Sequence, residues 1–143
     1  MKTRDQVREL FKEKRVPLTH QRLAVYEELA GRHDHPSAES LHASLKKTYP
    51  SLSLATVYKT LQTLAELGIV ARVDSPAAQA RYDAIVETHH HAVCTACGKI
   101  DDLFDARLDR LPAPKAAGFV PTGHSVHFHG LCARCAKASG SKK

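Results

Sequence analysis

The feature that most constrains this chain is its cysteine arrangement, because all four cysteines fall in two Cys-x-x-Cys pairs. The first pair is Cys94 and Cys97, and the second is Cys132 and Cys135. Four thiolates complete a tetrahedral zinc shell. The segment between the pairs is longer than in a zinc finger, so the pattern predicts a structural zinc that joins distant parts of a sheet domain. The alternative, reactive dithiols or disulfides, is disfavoured in a reducing cytosol.

Length and composition predict a globular chain with one ordinary domain or two small ones. Its 143 residues are 43% hydrophobic and 25% charged, as in folded proteins. The sequence shows neither an apolar run of about 18 residues nor an apolar secretory core, so we expect a cytoplasmic protein without a membrane span. The net charge of +6 favours a polyanionic partner, although solubility alone explains a charge of this size equally well.

The first half of the chain has the pattern of successive amphipathic helices interrupted by glycine and proline. The predicted helices are residues 5–15, residues 20–30, a segment that begins after Ser37, and residues 54–67. Thr19, Ser37 and Ser53 are the predicted N-caps, because their side-chain oxygens can accept a hydrogen bond from a first-turn N–H. Gly31 and Gly68 are predicted to end the second and fourth helices.

Two β-rich segments follow the fourth helix, at residues 69–73 and 81–85, with a predicted turn at Asp74-Ser-Pro76. Helices followed by a β-hairpin are the order of elements in a winged helix-turn-helix. The pattern therefore predicts a winged-helix DNA-binding domain over residues 1–84.

The fourth helix is the predicted DNA-recognition helix. Its inner face is one apolar stripe made of Val57, Leu61, Leu64 and Leu67. Its other face offers hydrogen-bonding groups, one cation and one aromatic ring, on Thr56, Tyr58, Lys59, Thr60 and Gln62. A solvated face usually mixes acids with bases, whereas this one has no acid before Glu66. We therefore expect Thr56, Tyr58 and Lys59 to contact DNA in a major groove.

The pattern changes to short β-like runs in the second half. These runs are residues 89–95, 99–104 and 119–131, with a helical piece at 106–111. A small sheet of this kind leaves a free edge, and self-pairing into a homodimer would cover it. A dimer also matches the two-fold symmetry of the sites that helix-turn-helix proteins bind. We therefore predict an α/β dimerisation domain over residues 85–143 and an α+β fold class for the whole chain.

A second group of metal ligands is predicted around His89 and His91, which share one face of an extended segment. Asp83 lies six residues before His89, Asp102 lies on the next β-like run, and His35 precedes the third helix. Imidazole and carboxylate donors suit Fe²⁺, Mn²⁺ or Zn²⁺, and the absence of sulfur favours the harder metals. A surface role is the alternative for each histidine, but a His-x-His pair beside a cysteine zinc motif favours metal binding.

Several of these stretches resemble the ferric uptake regulator family of bacterial metal-dependent repressors, over residues Val16 to Cys135. The matching stretches are Thr19-His-Gln-Arg-Leu23, His35-Pro-Ser-Ala38, Leu54-Ala-Thr-Val-Tyr-Lys-Thr-Leu61, Leu67-Gly-Ile-Val70, Arg81-Tyr-Asp83, His89-His-His91 and Cys94-x-x-Cys-Gly-Lys99. The resemblance implies a winged helix, an α/β dimerisation domain, a four-cysteine zinc, and a regulatory metal at the hinge between the domains. It also implies that the regulatory ligands are His35, Asp83, His89, His91 and Asp102.

Within the family, this chain resembles the peroxide-responsive branch, because Asp83 and Asp102 are both aspartate. Iron sensors commonly carry glutamates in these sites, and zinc sensors tend to have a cysteine at position 83. The resemblance implies that peroxide reacts with bound Fe²⁺ and that the oxidant modifies a ligand histidine, for which His35 and His89 are the candidates. The implied function is a repressor with Fe²⁺ or Mn²⁺ as corepressor that binds double-stranded operator DNA as a homodimer, without an organic cofactor. The alternative is an iron-responsive regulator without peroxide sensing.

The resemblance also implies supporting residues. His20 and Arg22 are expected to bind DNA at phosphates or in the minor groove. His90, Asp109 and His124 lie where iron sensors place ligands of a second metal site, although Thr88 replaces a histidine found there.

Two other classes of function are consistent with the same ligands. One is a metalloenzyme with an open metal position for water, but the sequence offers no obvious motif with an additional general acid or base. The other is a zinc-stapled dimer domain that only tethers a constitutive DNA binder. Neither hypothesis accounts for the resemblance to a family of metal-dependent repressors.

Overall fold

The computed structural model describes residues 1–73, 79–112 and 118–140. These residues form two compact units, and the boundary between the units falls after Glu87. The first unit is mostly helical and the second is built on a small mixed sheet, which confirms the predicted α+β class. No helix in this described part of the chain is both long and apolar enough to cross a membrane.

The N-terminal unit has the element order of a winged helix. Its elements are α1 (Arg4–Glu13), α2 (His20–Ala30), α3 (Ala38–Leu45), α4 (Leu54–Glu66), β1 (Ala71–Val73) and β2 (Arg81–Asp83), with β1 and β2 antiparallel. The three predicted N-caps are confirmed: Thr19, Ser37 and Ser53 each accept a hydrogen bond from the N–H three residues later. Thr3 caps α1 in the same way, so local capping chemistry sets where all four helices begin.

The strand boundaries differ from the prediction because neighbouring groups compete for the backbone. The N–H groups of Ile69 and Val70 both donate to the Leu64 carbonyl at the end of α4, so β1 begins two residues later than predicted. The Ile85 N–H donates to the Asp83 carboxylate at 2.8 Å, and β2 therefore ends at Asp83. The predicted turn at 74–76 lies outside the described residues.

The core of the N-terminal unit is built around α4. Val57, Leu61 and Leu64 are fully buried, as predicted, and Leu67 is half-buried. Thr60 is buried too, with 1% of its surface exposed, so its prediction as part of the outer face is wrong. The physical reason is helical spacing, because Thr60 lies three residues after Val57 and four before Leu64 and so shares their face.

The C-terminal unit is organised around a central strand. Its elements are β3 (His90–Cys94), β4 (Ile100–Leu103), α5 (Ala106–Asp109), β5 (His127–Gly130) and α6 (Ala133–Ala138). β3 pairs antiparallel with β4 on one side and parallel with β5 on the other. The predicted strand at 119–131 is confined to β5, since Pro121 lacks the N–H that a strand ladder uses. The short helix α6 was not predicted.

The described residues of the C-terminal unit contain a small apolar core. Its buried apolar side chains are Val93, Cys94 and Ile100, whereas six large ones, Phe104, Leu111, Phe119, Val120, Phe128 and Leu131, are exposed. A unit of this size normally needs an additional crosslink, a metal or a partner to be stable.

Candidate metal centres and DNA-binding surface

The four cysteines meet because the central strand lies parallel to β5. Cys94 is the last residue of β3 and is in register with Gly130, the last residue of β5. Two hydrogen bonds hold the ends of the strands together, from the Thr95 N–H to the Gly130 carbonyl at 2.8 Å and from the Cys132 N–H to the Cys94 sulfur at 3.3 Å. The start of α6, which carries Cys132 and Cys135, therefore lies beside the turn that carries Cys97.

The geometry of this cysteine cluster suits zinc. All four sulfur atoms lie within 4.8 Å of one another, and those of Cys97 and Cys132 are 3.8 Å apart. A tetrahedral ion with Zn–S bonds of about 2.3 Å requires sulfurs about 3.8 Å apart. The four cysteines are free thiols rather than disulfides. Their arrangement matches a closed structural zinc site and not the disulfide alternative.

The electrostatics of the cluster also favour a bound cation. The backbone N–H groups of Cys132 and Cys97 lower the pKa of Cys94 to about 6, so this thiol ionises readily. In contrast, hydrogen bonds with the sulfurs of Cys97 and Cys132 raise the pKa of Cys135 to about 12. Four thiolates this close repel one another, and a divalent cation at their centre removes that repulsion.

A His/Asp pair is buried in the N-terminal unit. The Nε2 atom of His35 lies 3.3 Å from a carboxylate oxygen of Asp83, and both side chains are more than nine-tenths buried. Asp83 ends β2, and the Tyr82 N–H before it donates to the Pro36 carbonyl at 3.2 Å, which holds β2 against the segment before α3. His35 itself has a φ of +49°, a left-handed conformation that histidine tolerates better than most residues.

A second group of His and Asp side chains lies in the C-terminal unit. His91 is in register with Asp102 on β4, and its Nε2 atom lies 3.7 Å from the Asp102 carboxylate. The Nε2 atom of His89 lies 3.5 Å from the same carboxylate oxygen, and the two imidazole rings have centroids 4.6 Å apart. Phe104 stacks on His89 at 5.6 Å, a contact that the sequence pattern did not predict. The signal for it was an aromatic residue directly after the strand that carries Asp102.

The donor chemistry of these two groups fits a regulatory metal. They offer only imidazole nitrogens and carboxylate oxygens, a set that suits Fe²⁺, Mn²⁺ and Zn²⁺. The described residues therefore provide two kinds of metal-binding chemistry, a thiolate set for a permanent zinc and a nitrogen and oxygen set for an exchangeable ion.

His90 faces the opposite side of the sheet from His91 and is fully buried. Its Nδ1 atom accepts a hydrogen bond from the Val126 N–H at 3.2 Å, so the ring proton is on Nε2, which contacts the Asp109 carboxylate at 3.1 Å. The predicted third member, His124, stacks on His90 and places its own Nε2 atom 2.7 Å from the Leu108 carbonyl. A metal at this position would have to displace these hydrogen bonds.

The predicted DNA-contacting residues lie on α2 and α4. Tyr58 is 42% exposed, and its hydroxyl donates to the carboxylate of Glu39 on α3. This hydrogen bond lowers the pKa of Glu39 and raises that of Tyr58. The tyrosine ring is thereby held at one orientation on the outer face of α4, and Glu39 is a contact that the sequence analysis did not identify.

A surface pocket lies between the two helices. It has a volume of about 200 Å³ and is lined by Arg22 of α2 and by Thr56 and Lys59 of α4. Lys59 and His20 are exposed, and Arg22 donates to the Pro17 carbonyl at 2.7 Å. The arrangement gives α4 a cationic flank from a neighbouring helix, as a surface that binds phosphates requires.

A winged helix followed by a small sheet domain with thiolate and His/Asp metal sites defines a metal-responsive DNA-binding regulator. Residues 13–129 match the sequence profile of the ferric uptake regulator family, and the chain belongs to that family. Among its curated relatives is the peroxide operon regulator of Bacillus subtilis strain 168, which is 35% identical over 131 residues and 90% of each chain.

Two solved structures show the same fold. The Campylobacter jejuni peroxide stress regulator is 34% identical, with a TM-score of 0.67 over 94% of this chain and 100% of the other. The Helicobacter pylori ferric uptake regulator has a TM-score of 0.75 over 92% and 89% of the two chains at 20% identity, which supports the fold alone. These likenesses confirm the predicted winged-helix and dimerisation-domain architecture.

Proposed function

We propose that this protein is a metal-dependent transcriptional repressor that responds to hydrogen peroxide. The observation that carries the proposal is the sulfur-free donor chemistry of His35, Asp83, His89, His91 and Asp102 in a chain that also has a separate thiolate site. The separation allows one ion to be permanent and the other to be exchanged or lost. The similarity to peroxide-responsive relatives supports the same function.

The two parts of the chain have separate roles in this proposal. Residues 1–84 bind double-stranded operator DNA, and residues 85–143 form a homodimer. Phe104 and Phe128 in the second part are exposed and line one surface pocket, which supports self-association, because monomeric proteins seldom expose several large apolar side chains close together. A two-fold dimer presents two copies of α4 to two DNA half-sites.

The regulatory step is a metal-dependent change in the population of DNA-binding conformations. His35 and Asp83 belong to the DNA-binding part, whereas His89, His91 and Asp102 belong to the dimerisation part. An ion held by ligands from both groups would stabilise one DNA-binding conformation of the protein over the others. A coupling free energy of about 1–3 kcal/mol is typical of such linkage.

Peroxide reverses this step through the ligand histidines. Bound Fe²⁺ supplies the electron-transfer chemistry that activates hydrogen peroxide. An imidazole C–H of His35 or His89 is oxidised to C–OH, so the ring gains one oxygen atom while peroxide is reduced to water. The oxidised ring would be a poorer metal donor, so the protein would lose its metal-dependent affinity for DNA. The cysteines are not needed, because thiolates in a closed zinc site are not available as nucleophiles.

This mechanism predicts where oxidation occurs. When the Fe²⁺-loaded protein is treated anaerobically with hydrogen peroxide, the peptide that contains His35 or the one that contains His89 is expected to gain the mass of one oxygen atom. Tandem mass spectrometry of a digest locates it. Mn²⁺-loaded protein is the control and should stay unmodified. Loss of metal-dependent DNA binding without any oxidised histidine would contradict the peroxide mechanism.

Part of the salt dependence of DNA binding is expected to come from Lys59. Lys59→Ala is expected to reduce the slope of log affinity against log salt by about 0.9, the contribution of one phosphate contact. Fluorescence anisotropy on a duplex selected from a random library by the Mn²⁺-loaded protein measures the slope. Gln62→Ala is the matched control, since Gln62 is exposed on the same helix and contacts only Glu66 among the described residues. An unchanged slope for Lys59→Ala would exclude a phosphate contact.

The experiments above also separate the alternatives. Fe²⁺-dependent DNA binding that survives peroxide with unmodified histidines would indicate an iron-responsive regulator. DNA affinity that is the same with and without metal would indicate a constitutive DNA binder. The metalloenzyme hypothesis has the least support, because the curated relatives are named as regulators and repressors.

A further inference from the structure

Arg15 adopts a backbone conformation that arginine normally avoids. It follows the C-cap of α1, where the Val16 N–H bonds to the Phe11 carbonyl at 2.9 Å and closes the helix end. This closure places Arg15 at a φ of +54°. Glycine is the usual residue at such a position, because a side chain there costs conformational energy.

The other left-handed positions in the described chain make this arginine unusual. Four of them are glycines: Gly68, Gly98, Gly118 and Gly140. The remaining one is His35, which is among the proposed metal ligands. Strained side chains persist where a function requires that side chain at that place. Arg15 is therefore a candidate for a residue that contacts a ligand.

The guanidinium of Arg15 has no internal partner in the part of the chain that the structure describes, and its side chain is exposed. Several other arginines of the N-terminal unit have partners: Arg4 pairs with Glu27 at 2.7 Å, and Arg32 pairs with Asp34. A structural arginine would be expected to make a similar contact. Arg15 instead presents an unneutralised charge to solvent.

The surroundings of Arg15 are continuous with the DNA-binding surface. Arg22 donates to the carbonyl of Pro17, two residues after Arg15, and so ties this link to α2. Arg22 also lines the pocket that it shares with Thr56 and Lys59 of α4. Moreover, no acidic residue occurs between Lys14 and Tyr26. The link and the start of α2 thus carry only basic charges, and Arg22 connects them to the pocket beside α4.

We propose that Arg15 is a DNA phosphate-binding residue, held in its strained conformation so that it clamps the backbone beside the recognition helix. This inference rests on the proposed function as a DNA-binding repressor. Arg15 lies outside α4, so it contacts phosphate and not base edges, and its contribution is independent of DNA sequence. Its role is to hold α4 in register with the groove.

Replacing Arg15 with glycine is expected to raise the stability of the protein and to weaken its binding to DNA. Arg15→Gly is expected to raise the Tm by about 2–5 °C, because glycine relieves the strained backbone. The same variant is expected to bind DNA about tenfold more weakly at low salt, with a salt slope reduced by about 0.9. Full-length Mn²⁺-loaded protein and a library-selected duplex are used, with titrations from about 50 to 200 mM salt.

Two further variants make the test decisive. Arg15→Lys keeps the cation and should keep most of the salt slope. Arg8→Gln removes one charge from α1, the helix that precedes Arg15, where Arg8 pairs with Asp5, and should change affinity less than Arg15→Gly does. If Arg15→Gly raises the Tm but leaves DNA affinity unchanged, Arg15 only terminates α1. If Arg15→Gly and Arg8→Gln lose the same amount of DNA affinity, the loss is a general effect of charge. Either result overturns the inference, whereas failure of the wild type to bind DNA with Mn²⁺ would overturn the proposed function itself.

Discussion

Replacing Cys94 with serine is expected to unfold the C-terminal unit while the four helices of the N-terminal unit remain folded. The described part of the C-terminal unit buries few apolar side chains, so we expect its stability to depend on a zinc ion held by the four cysteines. Zinc binding contributes about 10–16 kcal/mol in small metal-dependent folds. That is comparable with the whole stability of a typical domain, about 5–15 kcal/mol. Loss of one ligand therefore has a large effect.

Three measurements on the full-length protein test this expectation. The zinc content should fall well below one ion per chain, the helical circular dichroism signal should largely persist, and protease should cleave the segment after Glu87 rapidly. Ala96→Ser is the matched control, because it adds a hydroxyl to the same exposed turn and removes no ligand. A Cys94→Ser protein that keeps its zinc and its Tm would show that the four-cysteine cluster is not the structural site.

Changing Asp102 to asparagine is expected to abolish the increase in DNA affinity that the regulatory metal produces. One carboxylate oxygen of Asp102 lies within 3.7 Å of the Nε2 atoms of both His89 and His91, so its charge is central to that donor group. A neutral amide binds divalent metals far less well than a carboxylate. In the wild type, metal should raise DNA affinity by about 5- to 150-fold, the usual range of allosteric coupling.

The neighbouring residue provides the control for this second experiment. Asp101 is exposed on the same strand and pairs with Lys99 at 2.7 Å, away from the histidines. Asp101→Asn should keep the full metal response, whereas Asp102→Asn should bind DNA equally with and without Mn²⁺. Both variants should retain zinc, since neither changes a cysteine. A normal Mn²⁺ response in Asp102→Asn would remove this residue from the ligand set.

Local sequence signals predicted the helical half of the protein well. N-cap side chains bond to N–H groups three residues away, so Thr19, Ser37 and Ser53 could be recognised without tertiary information. The apolar stripe of α4 follows from helical spacing in the same way. The prediction for the outer face of α4 was wrong at Thr60, which is buried because helical spacing places it beside Val57 and Leu64.

Contacts between distant residues were harder to predict. The alternation of side chains along a strand predicted that His89 and His91 face one way and His90 the other. It did not predict that Val126 and Asp109 would occupy both ring nitrogens of His90, because those contacts depend on how β5 and α5 pack. The hydrogen bond between Tyr58 and Glu39 likewise depends on the packing of α3 against α4.

The sequence by itself determined the chemistry of this protein: four thiols in two pairs, a sulfur-free set of His and Asp donors, and a winged-helix order of elements. Tertiary structure decided which of these groups meet. The parallel pairing of β3 with β5 brings the two cysteine pairs together across more than thirty intervening residues. The hydrogen bond from the Val16 N–H to the Phe11 carbonyl, which closes the end of α1, likewise places Arg15 in a strained conformation. Spacing along the chain specifies neighbours within one element, whereas strand register and helix packing specify the rest.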